Sequence, residues 1–130
     1  MPSTSLADCA GDLADRFIAV RDDYRAGHPG QDLVITCTWR SEQEQQVLYA
    51  QGRTKPGQIV TQIDGVTKKS NHNYKPSRAI DVCVTVGGKA VWTPAEYWDI
   101  GPLAEKHGLV WGGSWPHFKD YPHLELKGAA

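Results

Sequence analysis

No apolar run in this chain approaches the roughly 20 residues needed to cross a bilayer, which excludes a membrane-spanning helix. Met1 to Leu13 lacks the basic start and apolar middle of a secretory signal, so synthesis and folding in the cytoplasm are expected, with a separate exit route for any action outside. Cysteine is scarce and odd in number (Cys9, Cys37 and Cys83), and no Cys-x-x-Cys pair occurs, which argues against a disulfide framework. Neither sign of charge dominates: 14 Lys and Arg face 15 Asp and Glu. A net charge of -1 gives no overall electrostatic reason to bind nucleic acid or an anionic membrane. Repeats, low-complexity tracts and long linkers are also missing. The 130 residues read as one globular domain with 40% hydrophobic content, enough for a single core.

Helix and strand signals alternate irregularly along the chain. Ser3 or Thr4 is expected to cap a first helix running to about Ala26, with an apolar stripe of Leu6, Leu13, Phe17, Ile18 and Val20, ended by His28-Pro29-Gly30. Leu33–Thr38 reads as a strand. Ser41 and Glu44 form a capping-box pattern that opens a helix to Gln51. Residues 52–58 read as a loop, and Ile59–Val66 is either a short strand or a loop. Ala79–Val86 is a strong strand that turns at Gly87-Gly88 into Lys89–Trp92. Thr93-Pro94 should start a helix ending at His107-Gly108. Leu109–Trp111 and Pro122–Leu126 read as closing strands. The pattern predicts an α+β fold with a small, mostly antiparallel sheet and helices packed against it.

Chemistry concentrates in two places. In the first, His72 ends a polar loop and Asp81 sits between Ile80 and Val82-Cys83, where a carboxylate is costly unless paired. In the second, Asp120-Tyr121-Pro122-His123-Leu124-Glu125, alternation places His123 and Glu125 on one strand face. His72, Asp81 and His123 supply the three nitrogen and oxygen ligands that a catalytic zinc uses, leaving Asp120 or Glu125 for proton transfer. Cys37 and Cys83 lie in apolar runs and read as buried thiols, a nucleophilic Cys83 being the alternative. His107 fits a helix C-terminus. Trp111, Trp115 and Tyr121 are either core packing or a cleft wall.

The segment SNHNYKPSRAIDV resembles the Ser-x-His…Ala-x-Asp signature of the D-alanyl-D-alanine carboxypeptidase and L-alanyl-D-glutamate endopeptidase family of zinc peptidases. The stretch WGGSWPHFKDYPHLEL resembles that family's second motif, and TWRSEQEQQVLYAQGRTKPGQIVT its upstream Arg-Ser and Gln-Gly-Arg region. The similarity runs from about Leu33 to Leu126. It implies the fold core shared with the vancomycin-resistance dipeptidases and the hedgehog signalling domain. It further implies one zinc per chain on His72, Asp81 and His123, with Asp120 as catalytic acid and base. Arg40 takes the place of the arginine that steadies substrate or the oxyanion, Ser70 lies beside the site, and His117 lines the cleft. Two departures stand out: a His72-to-Asp81 loop two residues longer than usual, and Ser77 where the family commonly has Gly. The longer loop and an Asp base resemble the phage endolysin-like branch.

The resemblance therefore implies a peptidoglycan stem-peptide hydrolase, an endolysin-type L-alanyl-D-glutamate endopeptidase. It is expected to act as a monomer without membrane insertion, to carry no separate wall-binding domain, and to reach the periplasm or wall through a holin-type pore. A D-alanyl-D-alanine carboxypeptidase and a catalytically inactive zinc-fold binding module are the alternatives.

Overall fold

In the computed structural model, which describes residues 2–128, Leu13, Phe17, Val20 and Tyr24 fall on one face of helix α1 (Gly11–Gly27) and are all fully buried. Their spacing of four, three and four residues makes a stripe that turns toward the core. Ile18, next to Phe17, is pushed off that face and is exposed, contrary to the expected stripe. The helix also starts later than expected. Ser5 caps a separate 3-10 turn, Leu6–Asp8. The backbone of residues 8–10 then pairs with Ser77: Ser77 N–H donates to the Asp8 carbonyl, and Ala10 N–H to the Ser77 carbonyl. Peptide groups committed to a distant strand cannot join a helical ladder, so α1 begins only at Gly11.

Strands β1 (Gln31–Cys37), β2 (Ala79–Val86), β3 (Lys89–Val91), β4 (Leu109–Trp111) and β5 (His123–Leu126) form one five-stranded sheet in which all described pairings are antiparallel. The central strand is β2. Along one edge it pairs with β1. Along the other, its first half pairs with β5 and its second half with β3. Period-2 alternation divides β2 into two faces. Ile80, Val82 and Val84 join Leu124 of β5 in the core with α1 and with helix α3 (Ile100–Lys106). Asp81 and Cys83 therefore point to the opposite face.

Helix α2 (Glu42–Ala50) begins with the expected capping box: Ser41 Oγ accepts the Glu44 N–H, and Glu44 Oε1 accepts the Ser41 N–H. The helix expected from Thr93 to His107 is divided. Pro94–Tyr97 is a 3-10 turn, and α3 starts at Ile100. The turn swings the Tyr97 hydroxyl into the β2–β3 hairpin, where it donates to the Val91 carbonyl (2.7 Å) and accepts the Val84 N–H (3.1 Å). Residues 59–66, left open between strand and loop, form no strand. Gln45 Nε2 donates to the Ile63 carbonyl (2.8 Å), and Asp64 Oδ1 accepts the Val66 and Thr67 N–H groups. No helix among the described residues is long and apolar enough to cross a membrane.

Replacing Tyr97 by Phe should leave the Val84 N–H without this partner in a buried setting, at a cost of about 1–3 kcal/mol. Urea unfolding of Tyr97→Phe beside the wild type measures it, and an unchanged midpoint would mean that the hydroxyl does not hold the hairpin.

Candidate metal centre and cleft

Asp81 lies where three strands meet. Cys37 of β1 stands opposite it on one side and His123 of β5 on the other, so antiparallel register brings all three side chains to one face. A bulge between Ile35 and Cys37 absorbs Thr36 and shifts the register, so that Cys37 faces Asp81. His72 arrives separately, on the 3-10 turn Asn71–Asn73. Ser70 caps that turn: its Oγ accepts the His72 N–H (3.2 Å), and its own N–H donates to Asn73 Oδ1 (2.8 Å). The Arg40 N–H donates to the His72 carbonyl, fastening the turn to the segment after β1.

The two imidazoles converge on one oxygen. His72 Nε2 lies 3.1 Å and His123 Nδ1 3.0 Å from Asp81 Oδ1. Each ring is held at its far nitrogen. His72 Nδ1 is 2.8 Å from the Thr38 carbonyl, which also accepts from Ser77 Oγ (2.7 Å), and His123 Nε2 is 2.7 Å from Glu125 Oε1. The inward nitrogens, Nε2 of one ring and Nδ1 of the other, are the ones left for an ion. Although it is near Asp81, His72 Nε2 makes no hydrogen bond and is fully buried. An orphaned buried imidazole nitrogen facing a carboxylate and a second imidazole fits a divalent cation. Two overlapping donor groups have atoms close enough to share an ion: Cys37, His72 and Asp81, and Asp81, Asp120 and His123. Cys37 Sγ, however, sits 3.6 Å from His72 Nδ1, the edge already turned to Thr38.

Charge follows this geometry. Burial alone would lower the His72 pKa, but the Asp81 carboxylate outweighs it and raises it from 6.5 to about 10. Burial is likewise overcome at His123, by Asp81 and then Glu125, with a rise to about 9. Against its own burial, Asp81 is held well below the usual carboxylate range by the two histidines. Asp120 is raised, first by burial and then by the nearby Asp81 charge. Its Oδ2 is 3.8 Å from His123 Nδ1. Arg40 Nη2 is 3.3 Å from Asp81 Oδ2, and its Nη1 donates to the fully buried Gln45 (2.9 Å).

These groups line one cleft of about 600 Å³, shared by Arg40, Ser70, His72, Asp81, His117, Asp120, His123 and Glu125. The proposed zinc ligands, the two candidate proton carriers and the expected substrate-binding residues therefore all line this one cleft. The Trp115 ring lies 5.1 Å from that of His123, on the cleft side, while Trp111 packs inward and donates from Nε1 to the Tyr121 carbonyl (2.7 Å). Gly112 lets the Asp120 loop close down: an added Cβ would collide with the Asp120 carbonyl. Cys83 is buried with its thiol on the Val84 carbonyl and bonds no histidine among the described residues, which leaves the nucleophile alternative without support. His107, at the end of α3, is 2.7 Å from Asp23 Oδ2 and remote from the cleft. Sequence reasoning missed Cys37 as a neighbour of His72, and it missed Gln45 as the brace of Arg40. A buried polar residue inside a helix was the available signal for the latter.

An α+β sheet with a His, Asp and His cluster at its centre and a carboxylate beside it defines a metallohydrolase-type cleft. Residues 64–126 match the profile of the family described as D-alanyl-D-alanine carboxypeptidase. The chain is 40% identical over 111 residues to peptidoglycan L-alanyl-D-glutamate endopeptidase CwlK of Bacillus subtilis (strain 168), an alignment that covers 78% of this chain and 64% of that protein. The chain therefore spans less than two thirds of that relative's length. The crystal structure of the Serratia marcescens L-Ala D-Glu endopeptidase ChiX superposes with a TM-score of 0.68 at 21% identity, covering 97% of this chain and 90% of that one, and shows the same fold. Over residues 64–126, just under half of the chain, the sequence is thus similar to this peptidase family.

Two outcomes are expected from metal titration. In the metal-free protein, His72 and His123, raised to about 10 and 9, hold protons at neutral pH. A metal needs them deprotonated, so affinity should climb with pH, roughly tenfold per unit for each proton released, and level off above that range. Proton release measured by calorimetry in two buffers tests this, and pH-independent binding would contradict it. Glu125→Leu removes the carboxylate that orients His123 and should weaken metal affinity by about 10–100-fold, with Glu125→Gln, which keeps an acceptor oxygen, intermediate. Competition with a chelating dye gives the ratio.

Proposed function

We propose that this chain is a zinc-dependent L-alanyl-D-glutamate endopeptidase that cleaves the peptidoglycan stem peptide, with one zinc held by His72, Asp81 and His123. The observation that carries this is the convergence of both inward imidazole nitrogens on Asp81 Oδ1, one of them orphaned, with the Asp120 carboxylate 3.8 Å from His123. The match of residues 64–126 to the peptidase family supports the metal. The L-alanyl-D-glutamate endopeptidases CwlK and ChiX, to which the chain is similar, support this bond over D-alanyl-D-alanine.

Zinc, when bound, supplies a Lewis acid that polarises the scissile carbonyl and acidifies a water. The protein does the rest. The open side of the cleft receives the peptide, with Trp115 and His117 along its wall. Asp120, raised by burial and by the Asp81 charge, takes the proton of the attacking water and passes it to the departing D-glutamate amine. Arg40, braced by Gln45, keeps a guanidinium beside the reacting carbonyl, where negative charge develops. Ser70 caps the His72 turn with its hydroxyl and faces the cleft, placing it beside the bound peptide. The substrate lies in the wall, so we place the site of action there, reached from the cytoplasm through a holin-type pore.

Asp120→Asn should keep its metal and fold yet lose about 10²–10⁴ of kcat on purified peptidoglycan. Release of amino groups gives the rate, and mass analysis of the fragments names the bond. New N-terminal D-glutamate supports the endopeptidase. Free D-alanine would sink it in favour of the carboxypeptidase, and full activity of Asp120→Asn would remove Asp120 from the proton transfer.

A further inference from the structure

The near-zero net charge conceals a segregation. Residues 53–78, which form the loop beside the cleft, carry six cations (Arg53, Lys55, Lys68, Lys69, Lys75 and Arg78) against the single acid Asp64. Residues 1–32 hold six aspartates against three arginines. Among the described residues, the ion pairs of the chain involve none of those six cations. Asp64 spends its oxygens on its own turn, accepting Val66 N–H, Thr67 N–H and Thr67 Oγ1.

Two of these cations lie on the cleft, and a third shares an aromatic ring with one of them. Lys68 and Lys69 line the cleft that holds His72 and Asp81. Lys69 Nζ lies 5.2 Å and Arg78 Cζ 3.8 Å from the centroid of the same Tyr74 ring. A ring face attracts one cation well. Two on one ring repel each other, and among the described residues neither is ion-paired to a carboxylate. A long side chain free to swing into water gains little by staying there, so the placement makes sense as a ready counter-charge for an anion entering along the cleft.

We propose that Lys68, Lys69 and Arg78 form a carboxylate-binding rim that takes the free carboxylates of the stem peptide on the D-glutamate side of the scissile bond. This rests on the endopeptidase reading for the identity of the strand. It adds a specificity: acidic, unamidated stem peptides are preferred over those whose carboxylates are masked as amides.

The test uses the metal-loaded protein and a stem fragment that begins at D-glutamate and stops before the D-alanines, so that it holds neither an L-alanyl-D-glutamate nor a D-alanyl-D-alanine bond, in free-acid and fully amidated forms. In the wild type the free acid should bind about tenfold more tightly, as three partly exposed ion pairs allow, and the gap should shrink as salt rises. In the Lys68→Gln, Lys69→Gln, Arg78→Gln triple variant the ratio of the two affinities should fall to about one, whereas Lys69→Arg with Arg78→Lys should keep it. Equal binding of both fragments by the wild type would overturn the proposal, as would a ratio that survives in the triple variant. Should the fragments bind alike while walls retaining phosphodiester polymers bind in a manner lost in the triple variant, the occupant is a phosphate chain and the assignment to peptide carboxylates fails. Because the fragment cannot be cleaved, loss of the endopeptidase reading shows only in the digestion of intact wall, and loss of the rim only here.

Discussion

The carboxylate of Asp81 is the constraint around which the rest of this molecule is arranged. It lies on the central strand, between β1 and β5, in a setting where an unpaired charge would be untenable. Three cationic or potentially cationic groups answer it: His72 and His123 on one oxygen, Arg40 on the other. Each comes from a different part of the chain, so the need to satisfy one charge ties the strand after α1, the loop before β2 and the C-terminal strand into a single unit. Removing one partner from such a network leaves charge behind, which costs far more than the net worth of the pair.

The supports of the two imidazoles differ in kind, and the difference follows from where each is mounted. His123 stands on a strand, two residues from Glu125, so alternation alone delivers the carboxylate that holds its outer nitrogen. His72 stands on a turn with no strand periodicity to help it. Its outer nitrogen is held by the Thr38 carbonyl, and that carbonyl is fixed in turn by the buried Ser77 hydroxyl, whose oxygen accepts the Ala79 N–H. Ser77 is the residue at which the sequence departs from the signature it resembles, where a glycine is expected. Its hydroxyl ties the end of the longer His72-to-Asp81 loop both to β1 and to the first residue of β2. The same residue, through its backbone, pairs with residues 8–10. The departure from the family pattern is thus built into the structure at both ends.

Much of this was legible from local signals. The alternation of Ala79–Val86, the capping box at Ser41, the Gly87-Gly88 hairpin and the placement of His123 with Glu125 depend on short-range rules, and the structure follows them. What escaped the sequence depends on contacts distant along the chain. The late start of α1 is caused by Ser77, the division at Trp98 and Asp99 by the position of Tyr97 against Val84 and Val91, and the closeness of Cys37 to the site by a bulge at Thr36. Cys37 was read as a buried thiol and is one. Nothing in LVITCTW marks it as a neighbour of His72, because a one-residue shift in register leaves no trace in composition.

The same geometry separates the two carboxylates that the sequence left as rivals for the proton. Glu125 has an oxygen 2.7 Å from His123 Nε2, on the outer edge of that ring, and serves it as an acceptor. To carry a proton it would have to release the imidazole whose orientation it sets, and the inward Nδ1 would lose its alignment. Asp120 has no such duty. Its carboxylate lies on the inner side of His123, 3.8 Å from Nδ1, is 39% exposed at the cleft, and has its pKa raised first by burial and then by Asp81. Gly112 permits the close approach of the loop that carries it, since any side chain there would strike the Asp120 backbone. On the proposed mechanism Glu125 is therefore the positioning carboxylate, and Asp120 is the one given the proton.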